Sequence, residues 1–478
     1  MKKELFYILL LLLFSMTTTA QTTQTDFDYH LDWGGDRIHV TLHYTLPNPG
    51  DTILHYGNLD YGGQTDIFGC IKNLRAKGAD ITADSIHRTV TLHNIQEKEI
   101  CLTYDIVSRL PNKGLNCPME MFRPNISENF IYCHGINLFL RLPDNETKSY
   151  TQRVSWGKRP AFPVFSLYHA GNSYATVSRM AKDFQNTIIV GDKKLFVDTL
   201  LIGGIPNYVV TAPRKNIDYN RSAIAEYFKK FYTGIIRFWE EEHPSPYSLI
   251  VYPFEKIPFE ASGIGLDHGF CARYNPKADT ILTDNRIDLF SHEIGHNWIS
   301  ADMDNQWFGE GFNELQTMYM VVATGLKPID SFVDYLNKSL ASLHHSPARN
   351  LPNDSIRIRF WELGDYSWIP YWRGAVYAFR LLGQIEHATG NPHSFKALMM
   401  ALKGQTTSMN REKFLTVTSQ FLDRELLEEE FEQYIMRAET IKLDTNRLMS
   451  GCALRYKEDG TPYIIITDYT AFKKHFVL

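Results

Sequence analysis

Near residue 205 the hydrophobic period of this 478-residue chain changes from two to that of a helix, and no single-architecture fold accommodates both. Upstream, Ile38 to Leu46 alternates Val40, Leu42 and Tyr44 against Thr41, His43 and Thr45, and Thr89 to Leu92 and Ile100 to Val107 behave alike. Turn clusters such as Pro47 to Asp51 and Pro143 to Asn145 separate these runs. The pattern predicts an antiparallel β-sandwich domain over 21–205. Downstream, Ile224, Tyr227, Phe228, Phe231, Ile235 and Phe238 share one helical face. A short strand, Tyr247 to Tyr252, follows, and then a mostly helical region to about 450 and a strand-like tail over 451–478. The fold class is therefore α+β, and the length suits more than one domain.

The N-terminus reads as an export leader. Lys2 and Lys3 precede an apolar run, Leu5 to Met16, and then small residues ending at Ala20. The run falls short of the roughly 20 residues that span a bilayer, so 1–20 is read as a signal peptide with no membrane span after its cleavage. The expected location is periplasmic or secreted. A net charge of −5, with both signs interspersed, gives no footprint for nucleic acid. The six cysteines form no CxxC pair; bridges in the N-terminal third and buried thiols are both compatible with the spacing.

The chemistry concentrates at Ser291-His292-Glu293-Ile294-Gly295-His296. Residues four apart on a helix project from one face, so His292 and His296 can chelate one ion while Glu293 lies beside it as a base. Ile287, Leu289, Phe290, Ile294 and Trp298 supply the buried face, with Asp284 or Asn285 as cap. A catalytic zinc needs a third protein ligand and an open fourth position. Glu310, with thirteen residues between it and His296, opens the apolar helix that follows. Glu314 reads as solvated or as supporting the site from behind.

His292 to Trp298 followed by Trp307-Phe308-Gly309-Glu310-Gly311-Phe312 resembles the gluzincin aminopeptidases, the group of membrane alanyl aminopeptidase and leukotriene hydrolase. The separation between the second histidine and Glu310 is shorter than is usual there. The segment Tyr371-Trp372-Arg373-Gly374 resembles that family's Tyr-x-Lys-Gly, with Arg373 in place of lysine. The resemblance implies a saddle-like β domain and a thermolysin-like catalytic domain over 206–450. It further implies one Zn²⁺ on His292, His296 and Glu310, with Glu293 as base and Tyr371 assisting. The implied activity is removal of N-terminal residues from peptide or protein substrates. The family's amine-binding Gly-x-Met-Glu-Asn strand corresponds to Ser262 to Phe270, where His268 counts to the glutamate position and Asp267 adjoins it; the Gly265 backbone is expected to line the cleft. The alternatives are an endopeptidase or narrow-specificity hydrolase with the same site, and a non-catalytic exported scaffold or binding protein.

Overall fold

The structure is a computed structural model. It describes residues 26–45, 52–57, 66–95, 97, 99–109, 123–143, 149–167, 174–180, 186–214, 220–254, 261–275, 281–300, 303–362, 364–406 and 408–478. The leader, Cys117 and most of the two turn clusters lie outside them. Two compact units divide the chain, the second running from Gly191 to Leu478.

In the first unit, β1 (Phe27–Trp33), β2 (Arg37–Thr45) and β3 (Glu99–Val107) pair antiparallel. The alternation in β2 sends Val40, Leu42 and Tyr44 inward, as the sequence predicts. The strand β4 (Ser149–Lys158) runs parallel to β1, the one parallel pairing recorded in this otherwise antiparallel sheet. Three- and four-stranded sheets complete the unit. Val90 and Leu92 of one, and Ile131 and Cys133 of the other, join Val40 and Leu102 in a single core.

The second unit begins ahead of the boundary expected near 205. Strands β5 (Phe196–Ile202) and β6 (Ile205–Thr211) continue the period-two pattern but pair onward, through β6, with β7 (Ser248–Pro253). Periodicity reports that a segment is a strand, not which sheet receives it. The sheet order is β5-β6-β7-β9-β8, with β8 (Ala261–Leu266) at the edge beside β9 (Gly269–Tyr274). Helix α1 (Arg221–Phe238) is capped by the Asn220 side chain and buries the six residues of its apolar face. Helices α2 (Asp284–Gly295), α3 (Gly311–Ala323), α4 (Asp330–His345) and α5 (Asp365–Thr389) follow. The tail is part of this unit. Asn337 on α4 donates to the Ile464 carbonyl at 2.9 Å, and the Tyr319 hydroxyl donates to the His475 carbonyl at 2.7 Å. Cys70, Cys101, Cys133, Cys271 and Cys452 are free thiols. Among the described residues no helix is long and apolar enough to cross a membrane.

Helices α3 and α5 touch through glycines. A Cβ on Gly311 would strike the Gly374 backbone, and one on Gly374 would strike the Trp307 carbonyl oxygen and lie 2.7 Å from Gly311 Cα. This contact sets Glu310, at the start of α3, beside Tyr371 on α5. Gly374→Ala is expected to force the helices apart and cost about 1–3 kcal/mol. Urea unfolding of the two proteins measures it; an unchanged midpoint would show that the crossing relaxes freely.

Candidate active site

Helix α2 starts at Thr283, whose hydroxyl accepts from the Arg286 amide. The cap is thus one residue ahead of the Asp284 or Asn285 expected, and Asp284 instead sits in the first turn, where its charge suits the helix dipole. Phe290 and Ile294 are buried, Ile287, Leu289 and Trp298 pack partly buried on the same core, and the Ser291 hydroxyl meets that of Tyr227 at 2.9 Å. Gly295 ends the helix because α3 crosses there. A Cβ would collide with Asn313 Oδ1 and lie 3.0 Å from Gln316 Nε2. Asn313 uses that space to donate to the His292 carbonyl at 2.8 Å.

His292, His296 and Glu310 converge, their ligand atoms all within 4.8 Å of one another. Glu310 Oε2 lies 3.2 Å from His292 Nε2 and 3.4 Å from His296 Nε2. Ligands about 2.0–2.1 Å from a tetrahedral zinc are separated by roughly 3.3–3.4 Å, so the donor set fits that ion. The second ring nitrogens are also engaged: His296 Nδ1 meets the Ile299 carbonyl at 2.9 Å, and His292 Nδ1 lies 2.5 Å from Glu314 Oε2. Such partners fix the tautomer that presents Nε2 to a metal. Glu314 therefore supports His292 rather than facing solvent.

Charge balance gives the same result. Three carboxylates (Glu293, Glu310, Glu314) surround two imidazoles, a negative surplus that a divalent cation would largely offset. Burial alone would lower the basicity of His292, but Glu314 and Glu310 reverse it and carry it well above the usual value. Burial would raise Glu310, yet His296 and His292 hold it well below the carboxylate range. For Glu293 burial prevails over the histidines and pushes the carboxyl upward. A group raised in this way is the better proton acceptor.

Tyr371 stacks on His292 with ring centroids 5.5 Å apart. Burial first, and then the Glu310 charge, push its phenol well above the usual value, so it stays a donor. Arg373 does not enter the cleft. It is buried and donates to the Arg349 and Leu351 carbonyls and to Asn353 Oδ1 at 2.5–3.0 Å. Burial lowers its guanidinium to about 10.

The expected substrate-binding residues separate. Gly265 on edge strand β8 faces the base: a Cβ there would lie 3.8 Å from Glu293 Oε2. Asp267 and His268 form the β8–β9 turn, with His268 in the left-handed region at φ 49°. Its ring lines a different hollow, with Tyr247, Asn297 and Trp298. The cleft that holds His292, Glu293, Glu314 and Tyr371 is a cavity of about 470 Å³, walled also by Met318, Tyr335, Lys338, Trp368 and Trp372. Sequence reading did not place these last five in the cleft, and passed over Asn313; the only signal was Gly295, whose missing side chain marks a close crossing.

No protein-family model matches the chain, and no curated protein matches it either. Solved structures do match it. An aminopeptidase N family protein from Idiomarina loihiensis is 14% identical, with TM-score 0.71 over 90% of this chain and 79% of that one. An M1 zinc metallopeptidase mutant from Deinococcus radiodurans, bound to Tyr-Ser-Ala substrate, is 15% identical, with TM-score 0.57 over 88% and 96%. Yeast LTA4 hydrolase is 14% identical, with TM-score 0.52 over 87% and 68%. This chain therefore shares the α+β fold of the M1 zinc metallopeptidases and leukotriene hydrolase.

Proposed function

We propose that the protein is a zinc-dependent peptidase that removes N-terminal residues from peptides and is exported by its N-terminal leader. The observation that carries this reading is the convergence of His292, His296 and Glu310, with His292 opening onto a cleft that Glu293 and Tyr371 also line. A single zinc ion held by the three ligands would supply Lewis acidity, lowering the pKa of water and polarising the scissile carbonyl. Glu293 takes a proton from the attacking water and passes it to the leaving amine. Tyr371 donates its phenolic proton in a hydrogen bond to the oxyanion that develops on the carbonyl oxygen. The edge strand β8, with Gly265 open beside Glu293, leaves room for an extended peptide backbone. The Deinococcus relative in its Tyr-Ser-Ala complex supports a peptide as substrate.

Cleavage within chains is the second reading, and one observation favours it. Of the carboxylates lining the cleft, Asp288 pairs with Lys327 at 2.6 Å and Glu314 with His292 at 2.5 Å, so neither is available to hold a free amine. Free-amine and N-acetylated peptides, each with and without chelator, distinguish the two. Chelator-sensitive release from free-amine peptides alone supports the first; equal cleavage of blocked peptides supports the second. No cleavage of either would overturn both. Within either reading, Tyr371→Phe is expected to lower kcat by about 10²–10³ and leave KM nearly unchanged. An unaltered kcat would remove Tyr371 from the reaction.

A further inference from the structure

The catalytic cleft is sorted by charge in a way that its zinc chemistry does not require. Its lining carboxylates are all occupied. Glu314 serves His292, Asp288 pairs with Lys327, and Glu293 is reserved for proton transfer. Lys338 also lines this cavity. On α4 it lies three residues after Tyr335 and one before Ser339, which share the face turned to the cleft. Its side chain is exposed, and among the described residues it has no carboxylate partner. The same cavity carries an apolar and aromatic wall, with Trp368 and Trp372 stacked at 6.4 Å and 12°, and Trp368 against Tyr371 at 5.1 Å. A cleft of this composition has one unspent charge, and it is positive.

We propose that Lys338 selects peptides bearing a carboxylate close to the scissile bond, which it receives at the mouth of the cleft while the aromatic wall packs the methylene stem. This rests on the peptidase reading for its substrate but concerns a residue outside the reaction. The carboxylate has three possible sources: an acidic side chain on either side of the scissile bond, or the C-terminus of a short peptide. A charge-assisted hydrogen bond at the mouth of the cleft corresponds to a preference of about tenfold.

Three matched pairs separate the sources: Glu-Ala-Ala-amide against Gln-Ala-Ala-amide, Ala-Glu-Ala-amide against Ala-Gln-Ala-amide, and Ala-Ala against Ala-Ala-amide. In at least one pair the parent protein should favour the charged member by about tenfold in kcat/KM. Lys338→Met should erase that preference and leave the neutral member unaffected. Lys338→Glu should turn it toward a lysine-bearing peptide. Because Lys338 is exposed, both variants should fold like the parent. Calorimetric binding of the same pairs to Glu293→Gln protein reads the contact without turnover. Binding that depends on Lys338, in peptides the parent does not cleave, would keep this inference and sink the peptidase reading. Cleavage or binding with no charge preference in any pair, or a preference that survives Lys338→Met, would overturn the inference and leave the peptidase reading intact. A protein that neither cleaves nor binds any of the peptides overturns both.

Discussion

Glu293→Gln protein should bind zinc as the parent does and yet hydrolyse peptides at least 10²–10⁴-fold more slowly, the usual worth of a positioned general base. Glutamine has the same shape, so the neighbours of Glu293 need not move. Gly263 on β8 stands close enough that a Cβ there would lie 3.2 Å from Glu293 Cγ, which leaves no slack for a bulkier base but none is introduced. The ligand atoms belong to His292, His296 and Glu310, so metal content should not fall. The prediction is sharp because the remaining carboxylate nearest the reaction, Glu314, is already committed to His292 Nδ1. Metal analysis and peptide hydrolysis on the same preparation decide it. Full activity in the glutamine variant would mean that another group takes the proton, and the assignment of the base would fall. Loss of metal together with activity would mean that the carboxylate holds the ion instead.

The pair His292 and His296 could be read from sequence because helical geometry alone puts residues four apart on one face. The strands of the first unit were legible for a similar reason, since Val40, Leu42 and Tyr44 alternate against polar neighbours. What could not be read depends on which surfaces meet. Gly311 and Gly374 are far apart in the chain, and nothing local marks them as partners, yet their backbone contact sets Glu310 beside Tyr371. The same holds for Asn313, which fills the gap left by Gly295, and for Lys338, which reaches the cleft from a separate helix. The His268 position shows what counting along the chain leaves out. Counting along the chain put it at an amine-binding site, whereas the left-handed turn carries its ring into another hollow. Arg373 likewise matched a motif position but spends its donors on the 349–353 segment.

Glu310→Ala should abolish both metal binding and hydrolysis, the larger of the two effects on the site because it dismantles the donor set. Glu310 Oε2 is the atom shared by both imidazoles, at 3.2 and 3.4 Å. Without it, zinc is left with two ligands from one helix, short of the three protein ligands a catalytic site needs. Affinity should fall by more than the roughly 10–100-fold typical when a group that only orients a ligand is changed. Glu314→Gln, which removes such a group behind His292, provides that internal comparison. Stability should follow the metal: an ion present at about 1,000 times its dissociation constant contributes about 4 kcal/mol to the folded state. Adding zinc should therefore raise the melting temperature of the parent and leave that of Glu310→Ala where it is. If zinc stabilises both proteins equally, the ion sits elsewhere, and the convergence of these three side chains is a buried ion-pair network rather than a metal centre.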